Sequence, residues 1–141
     1  MIKIETIGML DVAKNNPILK SEEAVANYKF MTFDGDVYLI ANTLLGDDAY
    51  KDVFEIHAGE FLNGFLVKAW EGQKLVIDER HIAFASGEKY EDIEEGTTLL
   101  TINKDGDLAI AEEAPESGVY FKVTDKVTLN GPAVKAKVMI A

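Results

Sequence analysis

A nucleophile-and-base system in this chain would have to draw on His57 and His81 with Ser21, Ser86 or Ser117, because cysteine is absent. Acyl-transfer chemistry needs such a hydroxyl held beside a base, with a third group orienting the base. No G-x-S-x-G elbow is present, and Ala85-Ser86-Gly87 ends an apolar run in the manner of a turn. Neither histidine is therefore expected to be catalytic. The nearest approach to a cation loop is Asn103-Lys104-Asp105-Gly106-Asp107, but its glycine comes too early and Ala114 occupies the place of the closing bidentate glutamate. A hairpin turn accounts for it, as solvated turns account for Asp34-Gly35-Asp36 and Asp47-Asp48. Paired carboxylates for glycoside chemistry are not singled out by any spacing. No catalytic, cofactor-binding or metal-ligating residue is assigned, and no cofactor is expected.

Phosphate cradles are missing too, since no glycine-rich loop leads from a strand into a long helix. Trp70, Tyr28, Tyr38, Tyr50, Tyr90 and Tyr120 could form a stacking platform for a sugar or base, although core and strand-pair packing is the usual fate of such rings. Nucleic acid is not an expected partner: the net charge is −11 and Arg80 is the sole arginine, whereas phosphate backbones are bound by lysine and arginine. The charge is uneven. Glu88 to Glu116 holds ten acidic residues against Lys89 and Lys104, a net of −8, while Ser117 to the end sets Lys122, Lys126, Lys135 and Lys137 against Asp125, a net of +3. Such a division can orient a domain against a charged partner.

These side chains have to be positioned by strands. Val134, Ala136, Val138 and Ile140 alternate with Lys135 and Lys137, and Val119, Phe121 and Val123 alternate with Tyr120, Lys122 and Thr124. Period-two alternation marks a half-buried strand, and Asn130-Gly131 between the runs predicts a C-terminal hairpin, with Pro132 lengthening the connection. A second hairpin is predicted from Tyr28–Phe33 and Val37–Ala41 across Asp34-Gly35-Asp36. A third joins Thr97–Asn103 to Asp107–Ala111. Phe61–Trp70 and Lys74–Asp78 read as strands with Gly72 in the turn, His81–Ala85 as a short strand, and Ile2–Ile7 as the first. Nine or ten short strands with regular turn signals is the rhythm of a sandwich or barrel.

Helix is scarce. Ser21-Glu22-Glu23 can cap a turn or two through Asn27, Asp47–Phe54 can hold a short helix, and Tyr90–Glu95 a single turn. The expected class is all-β, mainly antiparallel, a β-sandwich or β-barrel-like single domain over 1–141 with a few short helical turns and an extended N-terminal arm over 1–17. The N-terminus lacks the pattern of a secretory signal and no apolar run approaches the ~20 residues of a membrane span, so no membrane partner is expected.

Ile7-Gly8-Met9-Leu10-Asp11-Val12-Ala13, Tyr28-Lys29-Phe30-Met31-Thr32, Asn63-Gly64-Phe65-Leu66-Val67-Lys68, Tyr90-Glu91-Asp92-Ile93-Glu94-Glu95-Gly96, Asn103-Lys104-Asp105-Gly106-Asp107-Leu108 and Val119-Tyr120-Phe121-Lys122-Val123 follow in an order that resembles the head decoration, or auxiliary capsid, proteins of tailed bacteriophages. The resemblance transfers no functional residue. It implies a non-enzymatic virion structural protein, made in the host bacterial cytoplasm and carried on the capsid surface. Its partner would be the major capsid protein, bound as a homo-oligomer on the shell, with an arm that orders on contact. Two other classes remain open from the residues: a ligand-binding β module for carbohydrate or a host surface, and an enzyme with acid chemistry.

Overall fold

The computed structural model describes residues 2–4, 18–42, 54–128 and 131–141. Among these, twelve strands follow in chain order: β1 (Ile2–Ile4), β2 (Ile18–Lys20), β3 (Val25–Ala26), β4 (Phe30–Phe33), β5 (Asp36–Ile40), β6 (Glu55–Ile56), β7 (Phe61–Leu66), β8 (Lys74–Asp78), β9 (Leu99–Ile102), β10 (Leu108–Ala111), β11 (Val119–Thr128) and β12 (Pro132–Ile140). They form a six-stranded sheet in the order β1-β8-β12-β11-β9-β10, a four-stranded sheet β2-β7-β5-β4 and a two-stranded sheet β3-β6. Every strand pairing is antiparallel. The protein is an all-β domain with short 3₁₀ turns.

Alternation in the sequence becomes burial in the fold. On β12, Val134, Ala136 and Val138 are buried and meet Phe121 and Val123 of β11, with Leu75 and Ile77 of β8, in one core cluster. Phe30, Leu39 and Phe65 enter that cluster from the four-stranded sheet, and the Phe30 and Phe121 rings lie 5.5 Å apart. The two larger sheets therefore face each other across one core. Ile40 and Leu62 point the other way and, with Ile56 of β6, form a second cluster, so the four-stranded sheet is buried on both sides.

The turn chemistry is local. Asp34 and Gly35 take φ of 51° and 83°, the left-handed pair that a two-residue hairpin turn requires, so Asp36 joins the strand and faces Phe33. Asn103 Oδ1 accepts from the Asp105 and Asp107 amides, which makes the loop that superficially resembles a cation site a five-residue hairpin turn. Of the single turn expected over Tyr90–Glu95, Tyr90–Asp92 forms a 3₁₀ turn that ends at Ile93.

Other expectations need correction. Phe61–Trp70 is a strand only as far as Leu66; Val67–Trp70 is a 3₁₀ turn that swings Trp70 inward to stack on Phe65 at 6.1 Å. His81–Ala85 is not a strand. Glu79–His81 forms a 3₁₀ turn, and only Ile82 bridges Leu108, which shields the β10 edge. Ser21–Asn27 is not helical: the Glu23 amide does donate to Ser21 Oγ, but Val25 pairs with Ile56, so tertiary pairing overrides the local signal. Met1 and residues 5–17, which hold most of the expected arm and the remainder of Ile2–Ile7, lie outside the described residues, as do 43–53, with most of Asp47–Phe54, and Asn130. Within that arm, Ile2–Ile4 pairs with β8 and Ile2 is buried.

Candidate interaction surface

The residues suited to nucleophilic chemistry are dispersed. His57 is exposed near the start of β7, whereas His81 is buried with its ring edge-on to Tyr28 at 5.5 Å. Ser86 and Ser117 are exposed in turns, Ser21 serves its own turn, and none of the three shares a hydrogen bond with a histidine. No group of three or more histidine, aspartate or glutamate side chains suited to a metal occurs among the described residues. Asp47, Asp48 and Tyr50 lie outside them.

Sequence reasoning missed a polar seam where the two larger sheets meet. Arg80 reaches back to Asp78, whose carboxylate is nearly buried, at 2.9 Å, and Lys29 meets Asp107 at 2.7 Å. Asn27, Lys29, Arg80, His81 and Asp107 surround a cavity of about 180 Å³. Only Asp78 is buried among these charges; the Lys29–Asp107 pair ties the start of β4 to the 103–107 turn, while Arg80–Asp78 is local to the end of β8. A larger open groove of about 540 Å³ runs between β3–β4 and that turn. Its lining mixes Glu23, Lys104 and Asp105 with aliphatic side chains and converges no set of catalytic groups.

The described aromatics are mostly engaged internally. Trp70 is buried, Tyr38 meets Phe33 edge-on, and Tyr90 donates its hydroxyl to the Ala133 carbonyl at 2.8 Å beneath the Lys126 ammonium. Burial, reinforced by the Glu79 carboxylate, raises the Tyr90 pKa above its ordinary value. Phe61 is the one large aromatic that is mainly exposed among the described residues, at 58%, and Lys20 sits over its ring at 4.5 Å.

A different surface emerges from strand register. Lys122 of β11 stands opposite Lys137 of β12, and Lys137 opposite Lys74 of β8, so three lysines form a lateral row across three adjacent strands. Lys135 follows two residues before Lys137 on the same face. The inward neighbours Phe121, Val123, Ala136 and Val138 are all fully buried, which fixes the row on the outer face of the six-stranded sheet. Like charges directly opposite on adjacent strands are destabilising. At a separation of ~5 Å in water the repulsion is about 0.8 kcal/mol per pair, and flexible stems reduce it by splaying.

One carboxylate answers the row. A β-bulge shifts the register between Val123 and Asp125, bringing Asp125 onto the face opposite Lys135 and within 3.6 Å of Lys74. Hydrogen bonding from the Thr124 hydroxyl, together with Lys74, holds the Asp125 pKa below its ordinary value. Lys122 and Lys137 are exposed and have no carboxylate partner among the described residues. The sequence count of +3 anticipated the excess, but not that Lys74 joins it.

Acidic groups collect elsewhere. Glu91, Asp92, Glu94 and Glu95 are all exposed around the 3₁₀ turn at one end of the sandwich. That turn is held from below: Ile93 is in the core, Tyr90 is bonded to β12, and the Lys89 amide donates to the Asp92 carboxylate at 3.0 Å. Glu112, Glu113 and Glu116 are exposed beyond the β10 edge. Comparison of the chain with protein-family profiles, curated proteins and solved structures gave no match.

Proposed function

We propose that the chain is a non-enzymatic structural protein that binds the outer surface of a phage capsid, through the major capsid protein, and decorates or stabilises the shell. The observation that carries this reading is the lysine face: four lysines gathered on one side of three adjacent strands, with Lys122 and Lys137 exposed, on a strongly acidic chain. Small-molecule sites are concave and mostly apolar with a few convergent polar groups, whereas an extended charged face suits a protein surface and sets orientation and encounter rate. The ionic groups at the seam are paired with one another, which leaves the face as the chemically distinctive surface. On this reading the protein is made in the host bacterial cytoplasm, resides on the virion and occupies the shell as a homo-oligomer.

Many identical shell sites relax the affinity each copy needs when the copies also touch one another. The test is co-sedimentation of the purified protein with expanded shells of a matched major capsid protein, titrated to saturation at several salt concentrations. A fixed ratio of copies per shell subunit, with affinity falling as salt rises, is the expected result. Absence of saturable binding to a matched shell would overturn the reading.

A further inference from the structure

We propose that the lysine face of the six-stranded sheet receives a second copy of this chain, whose acidic turn Glu91–Glu95 docks on Lys122 and Lys137. Two independent features of the molecule meet in this contact. Lys122 and Lys137 are exposed, placed side by side by register and lack a carboxylate partner among the described residues. Their repulsion is relieved when anionic groups approach from outside, since Asp125, the carboxylate that the bulge brings onto their face, is drawn towards Lys74 and Thr124.

The complementary element is on the same chain but at the end of the sandwich. Glu91 and Glu95 are exposed, make no side-chain hydrogen bond or ion pair among the described residues, and rise from a turn anchored by Ile93 and by the Tyr90–Ala133 bond. An anchored turn loses little freedom when it docks, which lowers the entropic cost of association. Within one copy Gly96 bonds to Val123 and Lys126 reaches the Glu91 carbonyl, so the turn sits over the inner side of β11 near the start of β12. The lysine row looks outward from the same strands. The two elements therefore face different directions, and their meeting requires two molecules.

Such a contact joins different patches on the two partners. It is heterologous, so successive copies close into a ring if the rotation permits and extend into a filament if it does not. Ionic strength supplies a signature. Each chain carries −11 overall, so whole-molecule repulsion opposes approach at low salt. At about 0.15 M the screening length is about 8 Å, which removes the long-range repulsion while leaving ion pairs in contact. Association should therefore be greatest at intermediate salt and decline towards 1 M. The inference does not rest on the capsid reading: it concerns copies in free solution, where no shell competes for the lysine face.

The experiment is sedimentation velocity on the full chain across protein concentration and salt. The variants are Lys122→Glu with Lys137→Glu, Glu91→Lys with Glu95→Lys, and an equimolar mixture of the two, each checked for native circular dichroism. Wild type should associate reversibly with the intermediate-salt maximum, each double variant alone should associate at least about tenfold more weakly, and the mixture should recover association. A wild type that keeps the mass of one chain up to millimolar concentration overturns the proposal. So does association that persists in either double variant, or a mixture that fails to recover it. Shell binding by a chain that stays monomeric would leave the proposed function intact while removing this inference.

Discussion

Gly106 and Gly72 share nearly the same backbone angle, φ of +83° and +84°, yet the fold predicts different costs for giving each a methyl group. At Gly72 a Cβ meets nothing within 4 Å. Gly72→Ala therefore carries only the left-handed penalty of about 1–2 kcal/mol, reduced by the unfolded-state entropy that alanine removes, for a net loss of about 1 kcal/mol. At Gly106 the same Cβ would stand 2.6 Å from the Phe30 carbonyl oxygen and 3.4 Å from Lys29 Cβ. That oxygen belongs to backbone, and no side-chain rotation relieves the overlap. The Phe30 amide donates to the Gly106 carbonyl at 2.9 Å and the Ile40 amide to the Lys29 carbonyl at 2.9 Å, so the strand is held from both sides. Relief requires parting the 103–107 turn from β4 and leaving the Phe30 amide without its acceptor, which adds about 1–3 kcal/mol. Gly106→Ala should therefore lose about 3 kcal/mol. For a chain of this size each kcal/mol shifts Tm by about 3–4 °C, giving a fall of about 10 °C for Gly106→Ala against about 4 °C for Gly72→Ala. Thermal and urea unfolding of the two variants measure this, with urea m-values expected to stay unchanged. Equal losses at the two positions would refute the argument that the close approach of the two sheets, rather than φ, dominates at Gly106.

Asn42 extends the β5–β7 ladder with its side chain, Nδ2 donating to the Phe61 carbonyl at 2.9 Å and Oδ1 accepting from the Asn63 amide at 2.7 Å. Asn42→Ala should cost about 1–3 kcal/mol and selectively speed hydrogen exchange at the Asn63 amide; unchanged protection there would show that the pairing is dispensable. The Tyr90 phenol has a raised pKa in the fold through burial and then Glu79. Its contribution to stability is complete below the ordinary value of 10.0 and is lost as pH rises through the higher folded value. Tyr90→Phe should thus lose stability less steeply than wild type in urea unfolding above pH 10, and parallel curves would count against it. Lys137→Gln removes the central member of the lysine row and should raise Tm at low salt by the equivalent of up to about 1 kcal/mol, with the gain gone at 1 M salt, where screening acts within about 3 Å. A fall in Tm at low salt would mean the row is not repulsive.

Local chemistry made part of this fold legible. The alternation from Val134 to Ile140 reports a strand with one face in the core, and Asp34-Gly35 accepts positive φ at little cost, so the hairpins follow from residue type. Tyr90–Asp92 is likewise local. What failed depends on partners distant in sequence. Trp70 leaves the strand pattern because Phe65 and the core offer its ring more burial than an edge would. Val25 joins a strand rather than the helix that Ser21-Glu22-Glu23 could cap, because Ile56 lies beside it. The His81–Ala85 run meets only the end of β10. Asn42 as a ladder element carries no sequence signal, since an asparagine after a strand ordinarily reads as a turn residue.

The lysine row shows why an interaction surface is harder to read than a core. Lys74 lies far from Lys122 and Lys137 in the chain, and the three come together only because β8, β12 and β11 are neighbours with one particular register. A shift of one residue in β12 would turn Lys135 and Lys137 towards the core, so burial of Val134, Ala136 and Val138 enforces the register and, with it, the row. The core thus fixes a charge arrangement that the isolated monomer does not need. Even the bulge at Thr124 compensates only one end, carrying Asp125 to Lys74 and leaving Lys122 and Lys137 facing outward. Local electrostatics and packing disagree on this face. An approaching acidic surface reconciles them, and that is the physical reason to look here, rather than in the groove or the polar seam, for what the protein binds.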